Sequence, residues 1–475
     1  MTETNSPPAV DVPEPANGER SPSLSPPRSI GDLWRTSVKL SSGTIARGAI
    51  WGLLITGGGV GLGMLSQVAL ARQLGTAGFG VYLYVMAAMN ALSIIARLEL
   101  DTAAIRFVGA YHATHSWGLL RGFLHKSRRW VNSTSGGLAL LAAAVVLLLQ
   151  RWLPAGYTVP LLIGCLILPA ASRLQVEAGY LQGLRRVRES QAPFQLLRPT
   201  VLCVTVLAVG ASVYRLSVHV ALLLQLLATT TALVVTMRLM AKNTPPEVKD
   251  AVEVDDTREW VRTMGPLMLI AISQLVLSTQ TDVLVVNAFL GKEATAVYGT
   301  ASQLAALSGL AFTAFMLIVQ PQIARLYAQR RVSDLQRLVS FVQLASLAVS
   351  LAAFLGLVVL GKWALGWFGS DFRAGYSVML VLALGQICLS TVGAIAGYLL
   401  TMTGHQREAS RVIAGTAVEN LVLALVLTPL LGLIGVALAT GIAVVTRAVI
   451  LAVIVRRTVG VSLIALPRRR AAGEP

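Results

Sequence analysis

Residues 264–298 read MGPLMLIAISQLVLSTQTDVLVVNAFLGKEATAVY. Up to Leu290 the stretch is almost wholly apolar, and its 27 residues exceed the roughly 20 that a helix needs to cross hydrocarbon. Gln274, Gln280 and Asp282 interrupt it. A carboxylate at the centre of a spanning helix costs about 2.5–3.5 kcal/mol on insertion scales, so Asp282 is expected to face a bundle interior or a wet cavity. Residues 291–295 then make a turn, and a second apolar run opens at Tyr298.

The same arrangement occurs 216 residues earlier. Leu74-Gly75 matches Leu290-Gly291, and Val81-Tyr82 matches Val297-Tyr298. The register continues without a gap through Tyr111 and Tyr327, Leu119 and Leu335, and Arg121 and Arg337. One offset kept over this distance implies two copies of one unit, an organisation typical of secondary transporters.

The composition agrees. The chain has 475 residues, 55% hydrophobic and only 13% charged, with a mean hydropathy of +0.69. Such a chain is a polytopic membrane protein, and its length accommodates about twelve spans. Cys165, Cys203 and Cys388 all fall in apolar runs, so neither a disulfide framework nor a cysteine metal site is expected.

The expected fold is all-α, with about 12 transmembrane helices as two six-helix repeats. Residues 1–46 read as a disordered, proline-rich tail ending in a basic helix on the membrane surface; 7 of the 19 prolines lie in the first 30 residues. No apolar signal-peptide core occurs there. Residues 47–240 form the first lobe, 241–262 a surface linker with Pro245-Pro246 and an acidic run, 263–456 the second lobe, and 457–475 a basic tail. Spans are predicted at about 49–71, 80–105, 131–150, 158–181, 196–213 and 218–237, then 263–289, 296–320, 339–360, 375–400, 411–430 and 433–455. With both termini on one side, that side carries 30 of the 39 Lys and Arg and the other only 6. This bias predicts cytoplasmic termini, and it explains a net charge of +17 without any nucleic-acid partner. An even number of spans per half makes the repeats parallel. The outer loops are too short for a folded domain.

Several motifs mislead. Residues 356–362, GLVVLGK, approximate a phosphate-binding loop, but Trp363 stands where the magnesium-holding hydroxyl belongs and no strand precedes it. The glycine-rich 57–63, GGGVGLG, lies inside a span, where close helix packing or bending is the plain reading. His112 and His115 sit among aromatic residues of an interfacial segment rather than in a ligand set. The sequon at Asn132 falls at the cytoplasmic face.

Charges inside spans carry the most information. Arg97 and Asp101 are four residues apart, as are Arg173 and Glu177, so each arginine has a local carboxylate to neutralise. Asp282, with Gln280 beside it, has no such partner, and its counterpart in the first repeat is Ser66. Glu419 and Arg447 lie about 12 Å above the same membrane boundary in adjacent helices, at about 1.5 Å per residue, and are expected to pair if their faces agree.

Residues 69–82 (ALARQLGTAGFGVY), 100–108 (LDTAAIRFV), 282–298, 320–327 (QPQIARLY), 368–382 (FGSDFRAGYSVMLVL), 398–408 (YLLTMTGHQRE) and 427–440 (LTPLLGLIGVALAT) together resemble the polysaccharide-export, or lipid-linked oligosaccharide flippase, family. That family belongs to the multidrug/oligosaccharidyl-lipid/polysaccharide (MOP) exporter superfamily. The resemblance spans about residues 45–455. It implies a V-shaped pair of six-helix lobes in the bacterial cytoplasmic membrane, alternating access, and a polyprenyl-pyrophosphate-linked oligosaccharide as cargo, with membrane lipids and other polysaccharide-assembly proteins as neighbours. It implies no catalysis and no cofactor beyond a coupling proton or sodium ion. The cationic cavity it implies finds candidates in Arg97, Arg173 and Arg447. Ion-coupling candidates are Asp282, Gln280, Asp101, Glu177 and Glu419. A cation-coupled multidrug exporter of the same superfamily, or a membrane glycan polymerase or ligase, are the alternatives.

Overall fold

The computed structural model describes residues 43–212 and 216–463, and these are almost wholly helical. The expected tail and surface helix lie largely outside them. In chain order the long helices are α1 (Gly43–Arg97), α2 (Leu100–Ala113), α3 (Trp117–Leu148), α4 (Thr158–Gly183), α5 (Val187–Ala211), α6 (Val218–Asn243), α7 (Thr257–Val276), α8 (Thr279–Ala306), α9 (Leu310–Ala328), α10 (Val332–Gly366), α11 (Asp371–Met402), α12 (Gln406–Leu431) and α13 (Leu433–Thr458). By length and apolarity, nine of the described helices can cross a membrane, ten if the α7–α8 pair, bent by 47°, counts as one. Twelve crossings require α1 and α8 each to divide.

Both divide at a glycine. Gly75 and Gly291 hold φ of 66° and 84° with ψ of 176° and −171° inside otherwise continuous helices, an essentially glycine-only conformation that costs any other residue about 1–3 kcal/mol. The contacts on either side show that the chain reverses. Before Gly75, Gly59 packs on the Gln195 carbonyl and Gln73 packs on Gly210, so this arm runs alongside α5. Beyond it, Val85 packs on Gly164, Ser93 bonds Ser172 at 3.0 Å, and Asp101 packs on Gly179, so that arm runs alongside α4. Helices α4 and α5 are joined by only residues 184–186 and form an antiparallel hairpin. In the second half, Val276 and Val285 run with Asn420 and Ala424 of α12, whereas Val297 and Gly309 run with Gly375 and Gln386. The two turning glycines are 216 positions apart, the spacing of the sequence repeat.

The halves meet at the end that carries these glycines. Arg72 donates to the Trp367 carbonyl at 2.7 Å, Thr76 to Asp371 at 3.0 Å, and Asn287 to the Tyr157 hydroxyl at 2.9 Å. Phe79 stands edge-on to Phe372, and Gly80 lies directly against the Lys292 backbone. At the other end each half has its own apolar core. One is built from α2, α3, α4, the end of α6, the linker and the start of α7; the other is built from α9–α13 and the first residues of the tail.

The linker lies at the surface and is docked on the first half. Residues 247–257 lie along the start of α3, where the missing side chains of Gly118 and Gly122 admit its backbone. Arg121 donates to the carbonyls of Lys249 and Ala251, Val254 N–H donates to the Gly118 carbonyl, and Lys126 pairs with Asp255. Hydrogen bonds from Lys126 and Thr257 hold the Asp255 carboxyl down at about 2. Trp260, at the start of α7, is fully buried in the first half's core against Phe123 and Trp130. Part of the basic tail docks as well: Gln336 exchanges two hydrogen bonds with Ser462, and Gln343 donates to the Leu463 carbonyl.

Candidate functional site

The turn at Gly291 builds the centre of the second half. It folds Tyr298 back beside Asp282, and the tyrosine hydroxyl donates to Asp282 Oδ2 at 2.8 Å. Thr440 of α13 donates to the same oxygen at 3.0 Å. Asp282 is 3% exposed, as an acid within a span must be, and among the described residues its Oδ1 has no hydrogen-bond partner. The Oδ1 of neighbouring Asn420 on α12 is likewise unpartnered. A buried polar atom left unsatisfied costs about 1–3 kcal/mol, so this corner of the second half is polar and under-satisfied. A cavity of about 140 Å³ opens beside them, lined also by Ser302, Gln386 and Arg447. Gln280 does not line it.

The first half has the same turn with different chemistry. Tyr82, the counterpart of Tyr298, donates to Gln225 of α6 at 3.0 Å. Ser66 is buried and donates to its own helix at Gly63. The position matching Gln225 in the second half is Gly441, whose absent side chain leaves the cavity open. The first half therefore has no acid at the position that matches Asp282.

Two of the three candidate cations are already paired. Arg97 contacts Asp101 Oδ2 at 2.5 Å although the helix is interrupted between them by the left-handed pair Leu98-Glu99. Glu177 is completely buried and clasped by two arginines: Arg173 at 2.8 Å, and Arg128 through two 3.1 Å bonds. The third, Arg447, has no carboxylate partner among the described residues. The expected Glu419–Arg447 pair does not form. Thr446 rather than Arg447 faces α12 and donates to Glu419 at 2.9 Å, and the next residue turns about 100° away into the cavity.

Arg198 is a cation that the sequence reading missed. The charge count places it at the membrane edge, but α5 begins at Val187 and carries it eleven residues into the helix. Its guanidinium lies 4.4 Å from the Phe194 ring centroid and has no acid partner among the described residues. Spacing alone does not show this: Pro193 would ordinarily interrupt a helix, and it is accommodated inside α5 through a π-helical turn at Pro193–Leu197. Beside Phe194 lies a second pocket of about 130 Å³ between α2, α4 and α5.

Two bundles of spanning helices, related by an internal repeat and joined at one end, define a two-lobed multi-pass membrane transporter fold. Comparison with solved structures agrees. An inward-facing multidrug resistance MATE family transporter of the MOP superfamily superposes with a TM-score of 0.68 at 15% identity, covering 87% of this chain and 98% of that one. The lipid II flippase MurJ in an inward closed conformation gives 0.62 at 14%, covering 87% and 88%. A MOP superfamily transporter from Pyrococcus furiosus gives 0.63 at 15%, covering 88% and 95%. The chain belongs to the polysaccharide biosynthesis protein family, whose model matches residues 45–327. It is also similar to the probable low-salt glycan biosynthesis flippase Agl15 of Haloferax volcanii, 27% identical over 162 residues, a match that spans 34% of this chain and 34% of that protein.

Proposed function

We propose that the protein is a flippase that moves a polyprenyl-pyrophosphate-linked oligosaccharide across the cytoplasmic membrane by alternating access, and that it is not an enzyme. The observation that carries this reading is the second-half cavity, where an arginine with no acid partner among the described residues and a buried carboxylate that accepts from the Tyr298 and Thr440 hydroxyls face the same space. A pyrophosphate needs fixed positive charge to leave water, and a guanidinium supplies bidentate bonds to it. Arg447 is the group for that task, with Arg198 its complement in the first lobe. Arg97 and Arg173 are instead assigned to holding the first lobe together. Asp282, protonated or binding sodium, would bias the lobes between two arrangements through differential binding. Twelve spans with both termini in the cytoplasm complete the reading, with the Gly75–Gly291 end facing outward. Family membership and the similarity to a glycan biosynthesis flippase support it.

The test is ligand binding by the purified protein in nanodiscs, with undecaprenyl pyrophosphate and with the cationic drug probe tetraphenylphosphonium. The reading expects the anionic lipid to bind, and to bind at least about tenfold more weakly to Arg447→Gln, because a charged hydrogen-bonded contact contributes about 1.5–3 kcal/mol. Binding of the cation alone would replace it with a drug exporter.

A further inference from the structure

We propose that the pocket between α2, α4 and α5 is a sugar subsite: it takes one ring of the glycan headgroup, next to the pyrophosphate. This deepens the flippase reading and rests on it. The pocket is lined by Asp101, Thr102, Gln175, Gln182, Gln191 and Phe194. Gln175 and Gln182 are seven residues apart on one face of α4, with Gly179 between them. Gly179 lets the α2 backbone approach, since a Cβ there would come to 2.6 Å from the Asp101 carbonyl oxygen. The helices are thereby held close, and the two long amides stand out around the contact.

The amides are unused by the protein. Among the described residues, the side chains of Gln175 and Gln182 have no hydrogen-bond partner. Gln191 accepts from Gln195 at 2.7 Å, which leaves its own N–H groups free. Polar side chains within a membrane bundle ordinarily bond to neighbouring helices. Three half-buried glutamines that instead line a cavity are placed for a ligand.

The chemistry selects the ligand class. An amide presents both donors and an acceptor, which matches a sugar hydroxyl in either role. The pocket's one carboxylate, Asp101, is charge-paired with Arg97 through Oδ2 at 2.5 Å, so the lining has no net charge to favour a phosphate or a cationic drug, while its Oδ1 has no partner among the described residues and can accept from a hydroxyl. Phe194 gives the apolar face of a sugar ring a surface to lie on, and its π-system is polarised by the Arg198 guanidinium 4.4 Å away. That arginine, four residues along α5, is where a phosphate attached to the ring would be met. At about 130 Å³ the pocket suits a single ring rather than a whole oligosaccharide. It also lies near the ends of α4 and α5 that the charge bias assigns to the cytoplasm, the leaflet from which the cargo enters.

The experiment uses the full-length protein in nanodiscs and four probes: undecaprenyl pyrophosphate bare, and the same lipid carrying glucose, galactose or N-acetylglucosamine. Wild type is expected to bind at least one sugar-bearing lipid about tenfold more tightly than the bare lipid, as one or two net hydrogen bonds predict. Gln175→Leu/Gln182→Leu should reduce that ratio to near unity, and Phe194→Leu should lower it in the same direction. Retained binding of the bare lipid shows that each variant is folded. Equal binding of all four lipids to wild type overturns the subsite and leaves the flippase reading standing. An undiminished ratio in both variants also overturns the subsite. Failure of wild type to bind any of the four overturns both.

Discussion

Gly80 is where the closed end of the molecule is most sensitive to a single methyl group. A Cβ at this position would lie 1.8 Å from the Lys292 carbonyl oxygen and 2.6 Å from its carbon. Both are backbone atoms of the other half, so no side-chain rotation relieves the clash. Ordinary contact begins at 3.4 Å, and Gly80→Ala must therefore part the halves there by about 1.6 Å. The 2.7 Å Arg72–Trp367, 3.0 Å Thr76–Asp371 and 2.9 Å Asn287–Tyr157 hydrogen bonds all span this junction and cannot stretch so far. Each contributes about 0.5–1 kcal/mol net, so the closed arrangement loses about 1.5–3 kcal/mol relative to one open at this end. The equilibrium should shift by a factor of about 10 to 150. Ala296 is fully buried in the core shared by the halves and reports the change. In an Ala296→Cys background, a membrane-impermeant maleimide applied to intact cells should label the Gly80→Ala protein at least about tenfold faster. Glycan export should fall, because the return to the closed arrangement is penalised. Unchanged labelling by a protein that is folded and fully active would refute the reasoning.

Asp282→Asn should keep the oxygen that accepts from Tyr298 and Thr440 but lose the titrating group; surface glycan should fall at least about tenfold while membrane immunoblots show a normal protein level, and wild-type export would remove Asp282 from the mechanism. Arg128→Leu with Arg173→Leu strands the fully buried Glu177, at a cost of about 3–5 kcal/mol, so the double variant should lose abundance and melting temperature, and adding Glu177→Leu should restore both. For topology, a cysteine at Gly369 should be labelled from outside intact cells and one at the exposed Val252 should not; the reverse pattern inverts the orientation. Val248 would be a poor probe from either side, because it is buried against α3.

The architecture was legible because it rests on period and composition. The 216-residue offset between Gly75 and Gly291 is visible in the sequence, and both glycines turn the chain. Asp282 was legible as a lone acid in a long apolar helix, and it is buried as that pattern requires. Helix faces were not legible. Residues 419 and 447 share a depth, but whether Thr446 or Arg447 meets Glu419 depends on a rotation that sequence spacing does not set. Arg128 and Arg198 escaped notice for a related reason. Charged residues near a predicted span end read as loop, whereas α3 and α5 extend well past the apolar windows that reveal them. The proline-rich, acidic linker lies at the surface, as its composition implies; its docking was not legible, because it depends on Gly118 and Gly122, whose role appears only once the backbone laid over them is seen.

Transport of the cargo by the purified protein is the direct measure of the account. In proteoliposomes containing a polyprenyl-pyrophosphate-linked oligosaccharide, the glycan on the inner leaflet is shielded from an added glycosidase until it is flipped. Wild type should expose the shielded fraction to cleavage, and Arg447→Gln should do so at least about tenfold more slowly. Cleavage that stops at the outer-leaflet fraction, as in protein-free liposomes, would contradict the account.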